Sequence, residues 1–121
     1  MKVKYKDLVF AMSALNKISE LEMKVSDAVK VANLINIIRN ELIPFEETKI
    51  TLCKKYGRLE PDGQTYTIPE MNTSNFASEY NNLHETEIDF TSKPFVISTD
   101  IYIDAKSILA LDKFITFSNK G

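Results

Sequence analysis

From Ser26 to Tyr56 apolar residues recur at alternating steps of three and four: Ala28, Val31, Ile35, Ile38, Leu42, Phe45, Leu52 and Tyr56. Only Lys49 breaks the series. Such spacing keeps one helix face apolar over about four heptads. A helix of about 31 residues is roughly 46 Å long at 1.5 Å per residue, so it needs partners along its length. Pro44 sits inside the pattern. It removes a backbone donor and clashes with the carbonyl four residues back, which predicts a kink near residues 40–43 rather than two separate helices. Gly57, after Lys54 and Lys55, marks the end.

Tyr5, Leu8, Met12, Leu15 and Ile18, with Val9 beside them, form a second apolar stripe and predict a helix over about residues 6–21. Residues 2–4 read as a short strand or a lead-in. The short turn at residues 22–25, with Ser26 and Asp27 opening the long helix, predicts an antiparallel helical hairpin.

The second half changes character. Pro61-Asp62-Gly63 reads as a turn between two extended pieces, residues 58–60 and 65–68. Asn72-Thr73-Ser74 offers a cap for a short helix to about His84, with Phe76, Tyr80 and Leu83 on one face. Residues 85–90 alternate polar and apolar, as in a half-buried strand. Residues 95–99 and 101–103 are further extended candidates. Asp104 reads as the cap of a last helix over about residues 105–117, with Ile108, Leu111, Phe114 and Ile115 inward. The expectation is an α+β fold in a single domain, residues 1–121. An N-terminal hairpin with a long Pro-kinked helix precedes a small sheet of short strands and two short helices.

Composition agrees with a folded chain, 44% hydrophobic and 26% charged. No run of 18 apolar residues occurs, so no membrane contact is expected. The basic first residues lead into an amphipathic pattern, not a signal-peptide core, so a cytoplasmic location is expected. Cys53 is the one cysteine, so no internal disulfide forms; beside Leu52 it reads as a small half-buried residue. Net charge is −2. Residues 1–57 carry ten basic and seven acidic side chains, residues 58–121 five and ten. The lysines are spread along helix surfaces, and only Arg39 and Arg58 supply a guanidinium. This does not suggest a binder of duplex DNA.

No catalytic template is met. His84 is the only histidine, which excludes a multi-histidine metal site and suits the end of a short helix. Three glycines leave little room for a phosphate loop. Glu85, Glu87 and Asp89 share one strand face, near Glu79, and read as the wet side of a half-buried strand rather than a cation site. Asp100 and Asp104 lack the glycine and glutamate of a calcium loop. No cofactor is expected. For a small anionic ligand the candidates are Arg58, which follows the helix stop, and the rings of Tyr56 and Tyr80. Leu34 and Ile37 widen the long stripe beside Ile38. These three are the candidates for a two-fold homodimer interface.

Several short stretches carry a resemblance. They are Ala14-Leu15-Asn16-Lys17, then Lys54-Lys55-Tyr56-Gly57, then Asp62-Gly63 and Ile68-Pro69-Glu70. Phe76, Glu79, Leu83 and Glu85-Thr86-Glu87-Ile88 follow, and an aspartate-capped segment over residues 105–114 closes the series. In this order the chain resembles an uncharacterised family of small phage and prophage proteins from low-GC Gram-positive bacteria. The resemblance implies a phage-encoded accessory protein in the host cytoplasm, with no catalytic residues to carry over. The expectation is a non-enzymatic protein acting by stoichiometric binding, as an inhibitor of bacterial antiviral defence. It would mask a host defence protein or sequester a small anionic signalling molecule. The alternative is a virion or tail assembly component or chaperone.

Overall fold

The computed structural model describes residues 1–118. The elements in order are β1 (Lys2–Lys4), α1 (Tyr5–Ile18), α2 (Val25–Glu41), α3 (Ile43–Tyr56), β2 (Arg58–Leu59), β3 (Tyr66–Thr67), α4 (Glu70–Glu85), β4 (Glu87–Asp89), β5 (Phe95–Ile97), α5 (Ala105–Leu111) and β6 (Ile115–Phe117). The fold is α+β.

α2 and α3 are one long helix bent at Leu42. The Leu42 amide still donates to the Ile38 carbonyl, and the Glu46 amide to the Leu42 carbonyl, both at 2.9 Å. Pro44 falls in the first turn of α3, where a missing N–H costs least. The bend is therefore where the proline predicts it. The buried line along this helix is Val31, Leu34, Ile38, Leu42, Phe45 and Leu52. At its start the register differs from the sequence reading. Ala28 is exposed and Asp27 buried, while Leu34 is buried more deeply than Ile35.

That register corrects the interface expectation. Leu34 and Ile38 are 2% and 0% exposed and belong to the core of the chain itself, so they present no surface to a second copy. Ile37, at 37%, is open to solvent. α1 is the reason: it lies against α2, and Leu8, Ala11, Leu15 and Ile18 bury the stripe that the sequence left in need of a partner.

Instead of one small sheet there are three two-stranded ladders. β1 pairs antiparallel with β4, β2 antiparallel with β3, and β5 parallel with β6. The last pairing overturns the expected helix over residues 105–117. α5 stops at Leu111, and Ile115–Phe117 continues as a strand beside Phe95–Ile97. A parallel pair needs a crossover, and residues 98–114, with α5 inside them, supply it. Ile108, expected inward, is 39% exposed. Residues 101–103 form no strand. α4 begins at Glu70, directly after Pro69, rather than at residues 72–74. Asn72 is not its cap; the Asn72 side-chain amide donates to the Tyr56 carbonyl at 2.9 Å and ties α4 to the end of α3.

One buried carboxylate joins the halves. Asp27, 2% exposed, accepts from the backbone amides of Ser98 and Thr99 at 3.2 and 2.9 Å and from the Thr99 hydroxyl at 2.5 Å. These donors, the Thr99 hydroxyl foremost, hold its carboxyl below the ordinary aspartate range. Asp104 caps α5, accepting from the Ser107 amide at 3.1 Å and from its hydroxyl at 2.7 Å.

Candidate binding surface

The residues singled out for a small anion do not converge on open space. Tyr56, Phe76, Tyr80, His84 and Phe45 form a continuous run of ring contacts along the seam between α3 and α4. Tyr80 stacks on Phe76 with centroids 5.5 Å apart and meets His84 edge-on at 4.4 Å. Tyr56 meets Phe76 edge-on at 6.5 Å, and the Lys55 ammonium lies 5.0 Å from its ring. The Tyr56 side chain and Lys55 hold the Glu79 carboxyl below its ordinary range. Both tyrosines thus have packing partners. Arg58 stands exposed on β2, past Gly57, and forms no ion pair among the described residues.

The acidic strand faces lysines. Glu85 meets Lys4 and Lys6, each at 2.6 Å, and Asp89 meets Lys2 at 3.0 Å. The pairs with Lys4 and Lys6 lower the Glu85 carboxyl to about 2. Lys2–Asp89 ties β1 to β4, whereas Glu85, expected on the strand, ends α4 and its two pairs tie that helix end to β1 and the start of α1. Among the described residues no group of His, Cys, Asp and Glu gathers as a metal site. Nδ1 of His84 stands 3.0 Å from the Tyr80 carbonyl. Cys53 is half-buried. Among the described residues no helix is long and apolar enough to cross a membrane.

Two open concavities flank α5. Between α1 and α5 runs a groove of about 630 Å³, with Val9, Phe10, Ala14, Leu109 and Ala110 as its apolar lining. Phe10 is 59% and Leu109 77% exposed. Lys17, Lys106, Lys113, Asp7 and Asp112 form the charged rim. The helices run antiparallel here: Lys113 pairs with Asp7 at 3.0 Å at one end, while at the other Lys17 helps lower the Asp104 carboxyl, after the dominant Ser107 hydrogen bond. Partial burial pushes Asp7 upward, but the Lys4 amide and Lys113 outweigh it, and its carboxyl ends below the ordinary range.

On the other side of α5 a second groove, about 600 Å³, lies between residues 99–103 and β6. Ile101, Ile103 and Ile108 line it, with Asp100 and Asp112. Tyr102 is 99% exposed here. No family model, curated protein or solved structure matches this chain.

Sequence reasoning missed Phe10, Leu109 and Tyr102 as surface features. The first two left a signal: each is a large apolar residue off the inward stripe of its helix. Tyr102 left none, because residues 101–103 read equally well as a strand.

Proposed function

We propose that this is a phage-encoded, non-enzymatic accessory protein that acts by stoichiometric binding, inhibiting a bacterial defence system by masking a defence protein. The supporting observation is Tyr102, held almost wholly in solvent between Ile101 and Ile103 at the mouth of the second groove. A rigid amphipathic ring beside an apolar cleft is the side chain that most often anchors a protein interface. Its hydroxyl stays wet at the rim while the ring is buried. Asp100 and Asp112 on the same rim favour a target carrying basic groups around an apolar centre. Sequestration of a small anionic signal by Arg58, Tyr56 and Tyr80 has weaker support, because both rings are engaged along the α3–α4 seam.

The test is expression of the protein in bacteria carrying single defence systems, challenged with phage. Wild-type protein is expected to raise plaquing on one such host and to co-purify with a defence component in fixed ratio. Tyr102→Ala is expected to keep its melting temperature, since the ring is exposed, and to lose both effects. An anchoring tyrosine is worth about 2 kcal/mol or more, roughly a thirty-fold loss of affinity. Detection of the protein in purified virions, with no rescue on any host, overturns the proposal in favour of an assembly role.

A further inference from the structure

We infer that the groove between α1 and α5 is the contact surface of a homodimer, filled by a second copy of this chain related by a two-fold axis through Phe10 and Leu109.

The charges along the groove carry the argument. One end holds Lys17 and Lys106, neither of which forms an ion pair among the described residues. The other end holds Asp112, also without an ion pair there, beside the mutually neutralised pair Asp7 and Lys113. The middle is apolar, with Phe10 and Leu109 mostly in solvent. The lining of the groove is thus cationic at one end, where Asp104 near Lys17 offsets part of the charge, anionic at the other and apolar between.

A two-fold axis through the middle turns the second copy end for end. It lays the Lys17 and Lys106 end of each copy on the Asp112 end of its partner, and does so twice. The same rotation brings Phe10 and Leu109 onto their own counterparts as knobs entering the opposed groove. Self-complementarity of this kind is what an isologous interface requires. An occupant of one sign does not fit as well. An acidic segment would set a carboxylate on Asp112, and a basic one an ammonium on Lys17 and Lys106. An extended strand gains nothing either, because both walls are helices whose backbone groups are already bonded. A partner helix has its own backbone satisfied, and α1 and α5 of a second copy meet that need. The surface lies across α5 from Tyr102 and shares only Asp112 with the proposed target surface, so Leu109→Asp and Tyr102→Ala test the two separately.

Sedimentation equilibrium of the full chain between about 1 and 100 µM provides the test. Wild-type protein is expected to be dimeric at the upper end at low salt and to weaken as salt rises. Leu109→Asp is expected to be monomeric with the thermal melt of a dilute wild-type sample, because the side chain is exposed in the protomer. Lys106→Glu and Asp112→Lys should each raise the dissociation constant tenfold or more, by setting like charges together across the axis. The double variant should recover most of the affinity, and Tyr102→Ala should leave it unchanged. A wild-type chain still monomeric at 100 µM overturns the inference and leaves the groove open to a helix of another protein. A dimer unaffected by Leu109→Asp, or a double variant no better than the singles, also overturns it.

Discussion

Ile37 and Ile38 are chemically identical neighbours on α2 with opposite surroundings, so truncating each in turn tests the register of the long helix. Ile38 is fully buried against the hairpin core, whereas Ile37 is 37% exposed. Ile38→Ala removes three buried carbons at about 0.8 kcal/mol each, or about 2.4 kcal/mol of transfer free energy. The side chains around the gap relax only in part, and the void raises the cost to about 2–5 kcal/mol. For a chain of this size that is a fall in melting temperature of roughly 8–20 °C. Ile37→Ala leaves no void. Its lost contact, under about 1 kcal/mol, is partly offset by the better helix propensity of alanine, worth about 0.4 kcal/mol. Circular dichroism melts and urea titrations of both variants, at one protein concentration, give the comparison. Two equal losses, or a larger loss at Ile37, would refute the packing of α1 on α2 described above. Ile38→Asp should go further and abolish the cooperative transition, since an unpaired charge there costs several kcal/mol.

Gly57→Ala should destabilise by about 1–3 kcal/mol, the usual cost of overpacking. A β-carbon at this position would stand 2.6 Å from the Cys53 carbonyl oxygen and 2.8 Å from Cδ1 of Ile68. A urea midpoint unchanged from wild type would contradict that close approach. Acid should unfold the protein in a defined window. Asp27 and Glu85 both have lower pKa values folded than unfolded, so the stability they add is complete above their unfolded values near 4 and drains as pH falls, for Glu85 toward about 2. Melts from pH 6 to pH 2 should show it. Asp27→Asn should flatten the curve, and added salt should weaken only the exposed Glu85 share. An Asp27→Asn profile superimposable on wild type would remove that residue from the account.

The local pattern of residues determined most of the helical half. A 3.6-residue period places Tyr5, Leu8, Leu15 and Ile18 inward in α1, and Val31, Ile38, Leu42 and Phe45 in the bent helix. Pro44 sets the bend through sterics within one turn, and Asp104 caps α5 through bonds to Ser107, three residues away. Each of these depends on neighbours the chain brings together on its own. Other features needed distant partners. Ile108, Leu111, Phe114 and Ile115 satisfy a helical period, yet Ile115–Phe117 is a strand because Phe95–Ile97 offers a ladder only once the chain has folded back. Leu34 reads as surplus apolar surface beside the stripe, and only the position of α1 shows that one chain covers it. The three candidates for anion binding lie close in sequence or share a seam, but their ring packing is set by α4 lying along α3. Asp27 is the clearest case. It reads as a charge favouring a helix start, and it is buried because Ser98 and Thr99, more than 70 residues on, supply the hydrogen bonds that make a buried carboxylate tolerable.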